Sequence, residues 1–384
     1  MQLTPDEEAA LSGRHGDIMQ MAYRILAATG EATGAERLVP VEWVHLSGVN
    51  YNTIGDAGEE FLRSIRDRAR VRVRTTLNPM GFDIDSVGSY DIGEEFVRKQ
   101  RSIQESYAMM GVETSFSCVP YDIFPMPRPG SQVAFAESNA AIHANSLDGL
   151  HTNKESAFSA LASALTGKSP YGPLRQDMPP DTAVEMAVPD PTELEWGMLG
   201  YFAGRVCEGH AGICGAERPD SRDCKAICGG MGTSGTCGRF SFGGDLSGRE
   251  KVEFGPAEAA GIRDELNTAE KGDVIILGSP QLSFGEISNL VAMLGGRRFA
   301  KRCMVFCPRV VKERAAAVGY LDVLERANCT LLADCCACLT PLVSAETTDS
   351  VTTNSIKGAY YLGHSNGVGV CLKSLSRIIR EETI

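Results

Sequence analysis

The sequence lacks any run of about eighteen uninterrupted apolar residues, the length a helix needs to cross a bilayer. Its opening MQLTPDEEAALSGRHGD has no basic stretch leading into an apolar one. Both absences argue against membrane-spanning and secreted classes, and the expectation is a soluble, cytoplasmic protein. Positive charge is also short. Against 49 Asp+Glu there are 37 Lys+Arg, a formal charge of −12, which repels polyphosphate backbones and anionic bilayers. No nucleic acid and no membrane is therefore expected as a partner. Missing too are the phosphate-loop string G-x4-G-K-[ST], the H-E-x-x-H zinc helix and the G-x-S-x-G nucleophile elbow. The 13 cysteines do not supply the two C-x2-C pairs of a zinc ribbon. An odd number of thiols in a reducing compartment also argues against a full disulfide framework, which leaves packing, catalysis or metal ligation.

What is present is an ordinary globular composition, 43% apolar and 22% charged, over 384 residues. That length is two to three typical domains. The first thirty residues suit a helix capped by Thr4, with Asp6, Glu7 and Glu8 in its first turn and Gly30 as its stop. Short β-type runs at 38–45, 71–76 and 113–118 alternate with helical stretches at 59–70 and 96–110. Six prolines between 166 and 191 predict a loop wrapping the body. Strand patterns at 273–277, 302–306 and 330–333, with helices at 285–294 and 310–318 between them, predict βαβ units and a parallel sheet. The class is α/β, divided into a region 1–250, with polar loops and a cysteine-rich segment 207–244, and a βαβ region 251–384. The boundary is expected between Gly244 and Asp273.

Four polar loops follow predicted strands, at 47–53, 75–83, 117–121 and 277–280, where open α/β sheets place ligands. If 136–146 is helical, Ser138, Ile142 and Asn145 share a face, and Glu137 beside Ser138 and Asn139 offers one carboxylate and two neutral hydrogen-bonding groups. Such a set suits a small, charged, hydroxylated molecule; the alternative is a helix start capped by Ser138 or Asn139. Cys118 after one strand and Cys335, Cys336 or Cys338 after another would suit an iron–sulfur cluster if they converged. The glycine-rich 229–235 stretch is read as a backbone loop with anion-binding capacity.

These segments, in this order, resemble the large catalytic subunit of the aconitase X family. The resemblance rests on the L-T-P-D-E-E opening, Gly34 to Pro40, Ser47 to Gly58, Thr75 to Asp83, Ser115 to Tyr121, Ala136 to Ser146 and Thr353-Asn354-Ser355. It implies a single aconitase-like catalytic body of several α/β subdomains with parallel sheets, lacking the small swivelling domain, which would be a partner subunit. It further implies a hydro-lyase holding an iron–sulfur cluster. The Ser47 to Gly58 and Asn78-Pro79-Met80-Gly81 strings resemble the two-subunit branch, associated with dehydration of (R)-5-phosphomevalonate to trans-anhydromevalonate 5-phosphate. The other branch is associated with cis-3-hydroxy-L-proline.

Carried over by position, Cys118 and Cys336 match cluster ligands. Gly48, Val49, Asn50, Asn78, Gly81, Glu137, Ser138, Ser365 and Asn366 match substrate contacts. Glu137 and Ser138 are the catalytic candidates, with the general base expected on the partner, where a serine is the superfamily precedent. One departure concerns the metal: Gly278-Ser279-Pro280-Gln281 stands where archaeal-type members commonly read Gly-Cys-Pro-His, so Ser279 occupies a third ligand position. Serine is a poor donor to a soft cluster. Either the cluster is lost or altered, or Cys338, Cys335 or Cys307 takes over; a non-catalytic, cysteine-rich metal-binding or scaffold subunit is the remaining alternative.

Overall fold

The structure, a computed structural model, describes all 384 residues. Its contacts divide the chain into two units, 1–79 with 93–179 and 80–92 with 180–384.

The first unit runs α1 (Pro5–Leu11), α2 (Asp17–Ala32), β1 (Leu38–Pro40), β2 (Trp43–Leu46), α3 (Tyr51–Ile65), β3 (Arg74–Leu77), α4 (Glu94–Met109), α5 (Pro120–Ile123), β4 (Val133–Phe135), α6 (Ser138–Ser146), α7 (Ala157–Thr166) and β5 (Lys168–Pro170). Thr4 does cap α1, in a reciprocal box with Glu7. The expected single opening helix is two, because Gly13 and Gly16 take φ of +90° and +89° between them. Gly30 does not end α2, which continues to Ala32. Three parallel strands form the centre in the order β3-β2-β4. Residues 113–118 contribute a single bridge, Glu113 to Thr76, rather than a strand; Phe116 at φ +42° breaks the regular pairing, although the Ser117 amide still donates to the Leu77 carbonyl at 3.0 Å. Trp43 and Phe135 meet edge to face at 5.2 Å and pack with Val133, Ala140, Ala141, Ala144 and Leu150 against α6. Each large side chain buried this way contributes about 1.5–3 kcal/mol.

The second unit begins with β6 (Thr182–Met186), α8 (Glu193–Val206), β7 (His210–Cys214), α9 (Ser221–Thr233), β8 (Arg239–Phe242) and β9 (Glu250–Phe254). These strands form a parallel sheet ordered β8-β7-β6-β9. The proline-rich segment is therefore not all loop: it carries β5 and β6, with Pro179 and Pro180 standing just ahead of the latter. Nor is 229–235 a loop. Most of it is the last turn of α9, and its glycines let α8 approach backbone to backbone. A Cβ on Gly230 would lie 2.0 Å from the Gly197 carbonyl oxygen, and one on Gly200 would lie 2.2 Å from that of Ile227.

The chain continues through α10 (Pro256–Leu266), β10 (Val274–Leu277), α11 (Phe284–Leu294), β11 (Cys303–Phe306), α12 (Arg309–Ala317), α13 (Tyr320–Arg326), β12 (Cys329–Leu332), β13 (Ser350–Thr353), α14 (Ile356–His364), β14 (Gly369–Leu372) and α15 (Leu375–Glu382). The expected βαβ pattern is present as a five-stranded parallel sheet, β12-β11-β10-β13-β14. The contacts divide the chain between Pro179 and Pro180. The expected boundary between Gly244 and Asp273 coincides with the step from the four-stranded to the five-stranded sheet inside the second unit. Segment 80–92 is fastened to this unit by Asp83, whose buried carboxylate accepts from Lys312 Nζ at 2.5 Å and from the Ala333 amide at 2.8 Å.

Candidate functional sites

In the first unit the central strand β2 has β3 on one side and β4 on the other, so the connections diverge at its carboxyl end. Open α/β sheets bind ligands at such switch points. The loop after β2 starts with Gly48 at φ +74°, where a Cβ would stand 2.9 Å from that of Ala157. Glycine is the residue that fits. Val49 and Asn50 then lead into α3, and Asn50 caps it by accepting from the Asn52 amide at 2.8 Å. The loop is clamped by α4. Gln100 donates to the Val49 carbonyl at 2.8 Å and accepts from the Tyr51 amide at 3.0 Å, while the Tyr107 hydroxyl donates to the Gly48 carbonyl at 3.1 Å. Burial pushes the Tyr107 phenol up, which keeps it a donor. Sequence reasoning missed both clamps; the signal was Gln100, Ile103 and Tyr107 falling on one buried helix face.

Asn78, just past β3, donates to Glu137 Oε2 at 2.6 Å. Glu137 stands at the start of α6 and is 8% exposed. Behind Asn78, His45 Nε2 lies 3.0 Å from Asn78 Oδ1, and His45 Nδ1 lies 2.8 Å from Thr76 Oγ1. Complete burial lowers the His45 pKa to about 4 against the pull of Glu137, so the ring is neutral at pH 7. Ser138 opens α6 and is partly exposed. The expected face of Ser138, Ile142 and Asn145 does not line a cleft: Ile142 is buried, and Asn145 exchanges two hydrogen bonds with the Thr152 backbone at 3.0 and 2.9 Å. Neither Ser138 nor Asn139 caps; Asn139 instead donates to the Cys118 carbonyl at 2.9 Å and to the Tyr121 hydroxyl at 3.1 Å, tying the Cys118 backbone to α6.

The second unit repeats the topology. Its five-stranded sheet diverges at β10 and β13, and a cavity opens at their carboxyl ends, lined by Gly278, Ser279, Asn354, Ser355, Lys357 and Arg222 among others. Gly278 holds φ +104°, with a hypothetical Cβ 2.3 Å from the Phe306 carbonyl oxygen. The Ser355 side chain caps α14 through the Gly358 amide at 2.8 Å and also donates to the Ser279 carbonyl. Lys225 lines the same cavity but is balanced by Glu286 at 2.7 Å. Ser279 Oγ lies 3.7 Å from Cys338 Sγ. The hydrogen bond to Cys338 and burial push the Cys336 thiol well above its usual range, while the Lys357 charge pulls the other way.

Cys335 and Cys307 are fully buried, their carbonyls both held by the Gln281 amide at 3.1 and 3.2 Å. Gly81 is buried beside Met80, which bridges to Cys335. Ser365 and Asn366 are not brought to the cavity. They lie at the far end of α14, and Asn366 donates to the Val343 carbonyl at 2.6 Å. No group of three or more His, Cys, Asp or Glu side chains is arranged as a ready metal-ligand set. Lys357 and Arg222, which the sequence reading had not singled out, bring cations to the cavity; Arg222 is paired with Asp223 at 3.2 Å and Asp220 at 3.6 Å, and Glu193 and Glu286 line the cavity as well.

Family models for the aconitase X first, second and third domains match residues 1–176, 180–253 and 272–384. The phosphomevalonate dehydratase large subunit of Thermococcus kodakarensis is 32% identical over 99% of this chain and 100% of its own. That of Methanothermobacter thermautotrophicus is 34% identical, with 97% of each chain covered. The cis-3-hydroxy-L-proline dehydratase of Pseudomonas aeruginosa is 31% identical over 92% of this chain and 65% of its own. The crystal structure of Thermococcus kodakaraensis aconitase X in its holo-form superposes with a TM-score of 0.89 at 31% identity, each chain fully covered. Fold, sites and relatives together define a dehydratase, an enzyme of the hydro-lyase class. The chain belongs to the aconitase X family. No helix is long and apolar enough to cross a membrane.

Proposed function

We propose that the chain is the large subunit of a two-subunit dehydratase that eliminates water from (R)-5-phosphomevalonate, giving trans-anhydromevalonate 5-phosphate, in the cytoplasm. The observation that carries this reading is the cavity of the second unit. Three cations, Lys357, Lys225 and Arg222, line it against two carboxylates, Glu193 and Glu286, with Arg222 and Lys225 in ion pairs, and the N-terminus of the nine-residue helix α14 opens beside it with the Asn354 and Ser355 side chains. Cationic side chains and a helix N-terminus together favour a phosphate dianion. A hydroxyproline carries no such group. The relatives matched over their full length, named as phosphomevalonate dehydratase large subunits, support the same choice. The hydroxyproline dehydratases are longer proteins, of which this chain spans 65% and 68%. A small swivelling-domain subunit is the proposed partner, and the general base is assigned to it.

In the first unit, the Gly48–Asn50 loop, Asn78, Glu137 and Ser138 are the proposed substrate contacts. Asn78 commits one Glu137 oxygen through its N–H, which orients the carboxylate toward a hydroxyl rather than leaving it to rotate. The neutral His45 adds no competing charge behind it. In the second unit, Gly81, Ser365 and Asn366 remain proposed contacts by resemblance alone.

The iron–sulfur cluster implied by the family fits the sulfur chemistry present. Cys336 and Cys338 are in hydrogen-bond contact, and Cys338 lies beside the hydroxyl of Ser279. We assign Cys336 and Cys338 as donors in the second unit; Cys118 remains a proposed donor by resemblance alone. Ser279 then serves as a weak or hydrogen-bonding neighbour. When bound, such a cluster supplies a Lewis acid for the departing hydroxyl.

The test is turnover by the chain reconstituted anaerobically with the small subunit. Phosphomevalonate and cis-3-hydroxy-L-proline are supplied separately and products are followed by phosphorus and proton NMR. Conversion of the phosphorylated substrate is expected, and conversion of hydroxyproline alone would overturn the reading.

A further inference from the structure

A buried chain of hydrogen bonds in the first unit ends on the Glu137 carboxylate and runs in one direction. At its start, the Trp43 indole N–H, which only donates, gives to Thr76 Oγ1 at 2.9 Å. At its end, a carboxylate oxygen accepts, so Asn78 must turn its NH2 toward Glu137 Oε2, 2.6 Å away. That leaves Asn78 Oδ1 facing His45 Nε2 at 3.0 Å, and an oxygen there requires a proton on Nε2. A neutral ring protonated at Nε2 accepts at Nδ1. The Thr76 O–H faces two acceptors, Nδ1 at 2.8 Å and the Val44 carbonyl at 3.5 Å, and gives to the nearer. The direction is set from the Glu137 end through a neutral ring, and the Trp43 N–H at the other end is consistent with it.

Burial strengthens the chain. His45 and Thr76 have no solvent exposure and Asn78 is 8% exposed, so water does not compete for these bonds. The Ser117 carbonyl also accepts from the ring, and the Phe135 ring packs edge-on at 5.8 Å. Glu137 is the one ionised group among them. A mismatch anywhere in the series would leave a buried donor or acceptor unpaired.

We propose that His45, as the neutral Nε2–H tautomer between Thr76 and Asn78, is a positioning residue that sets the Asn78 amide and through it the direction of the Glu137 carboxylate. Its catalytic consequence rests on the reading of Glu137 as a substrate contact; its hydrogen-bond direction does not.

Two arms test it on the full chain assembled with its small subunit. Selective ¹⁵N-histidine labelling reports the tautomer of His45, assigned among the six histidines by its absence in His45→Gln. An Nε2–H ring with bare Nδ1 at pH 7 is expected, and an Nδ1–H tautomer or an imidazolium overturns the proposal. In the second arm His45→Leu, which removes both hydrogen-bonding functions, is expected to lower kcat about 30-fold with KM changed less than about 3-fold. His45→Gln, which can still accept from Thr76 and donate to Asn78, should recover to within about 5-fold of wild type, with Thr76→Val falling between the two. Wild-type kcat and KM in His45→Leu, or equal losses in Leu and Gln variants of unchanged melting temperature, overturn the positioning role. If the wild-type complex turns over neither candidate substrate, the functional reading fails, while the tautomer arm still decides the direction of the chain.

Discussion

In the first unit the loops after β2, β3 and β4 carry an amide, a carboxylate and, behind them, a neutral imidazole. In the second, the loops after β10, β12 and β13 carry hydroxyls, thiols and the approach to Lys357. Both sets occupy the carboxyl ends of parallel strands where the strand order diverges. The same backbone rule locates both, yet one is a buried network in which successive polar side chains pair and which ends on Glu137. The other is an open cavity of mixed charge, with three cations against two carboxylates, edged with soft sulfur. Topology says where a ligand sits, and side chains alone say which one.

The largest expected effect tests the buried network at its end. Glu137→Gln keeps the shape and can still accept from Asn78 through its carbonyl, so folding should hold while the charge is lost. Activity of the assembled enzyme, read as kcat/KM, should fall about 10³-fold or more, since general acid–base and electrostatic roles are worth that much. A fall of less than about 10-fold would remove Glu137 from the chemistry.

The same network should make the first unit acid-sensitive. His45 has a pKa of about 4 in the folded protein and 6.5 as a free side chain. The unfolded chain therefore takes its proton first, and stability from this group is present above about pH 6.5 and lost as pH falls toward 4. The loss is about 3 kcal/mol once both states are protonated. Urea unfolding at pH 7.5 and pH 4, compared between wild type and His45→Gln, isolates that part from the carboxylates. Parallel pH slopes in the two proteins would mean that His45 is not buried as a neutral ring.

How legible these sites were in the sequence follows from the same contrast. Loops at strand ends are local, and the strings at 47–53 and 277–280 marked them. The βαβ pattern of the last third was equally readable, because buried parallel strands are short apolar runs set between helices. What the sequence hid is tertiary. The glycines of 229–235 read as a loop until α8 is seen pressed against them. Prolines at 166–191 read as irregular until β6 is seen at the centre of a sheet with its prolines outside it. Gln100, Tyr107 and His45 are separated from their partners by 31 to 59 residues, so no spacing could pair them. Ser365 and Asn366, carried over by position alone, lie a whole helix away from the cavity.

A mutation in the open cavity should behave differently from one in the network. Lys357→Met removes a cation that lines the cavity, so binding of a phosphorylated substrate should suffer more than turnover. KM for phosphomevalonate is expected to rise about 30- to 100-fold with kcat within about 3-fold, and inhibition by inorganic phosphate should weaken in parallel. A kcat loss with unchanged KM would place Lys357 in the chemistry instead and blur the distinction between the units.

The smallest effect concerns the sulfur edge. Cys338 is the thiol beside Ser279 and in contact with Cys336, whereas Cys335 and Cys307 are sealed behind Gln281. If Cys338 supplies the soft donor that a serine hydroxyl does not, Cys338→Ser should retain about half or less of the wild-type iron and labile sulfide after anaerobic reconstitution, with a shifted sulfur-to-iron absorption. Cys335→Ser should leave both unchanged. Adding Ser279→Cys to Cys338→Ser should bring the iron back, because the two side chains are only 3.7 Å apart and serve the same edge of the cavity. Full iron with an unaltered spectrum in Cys338→Ser would return that thiol to packing and leave the second unit with Cys336 as its single soft ligand.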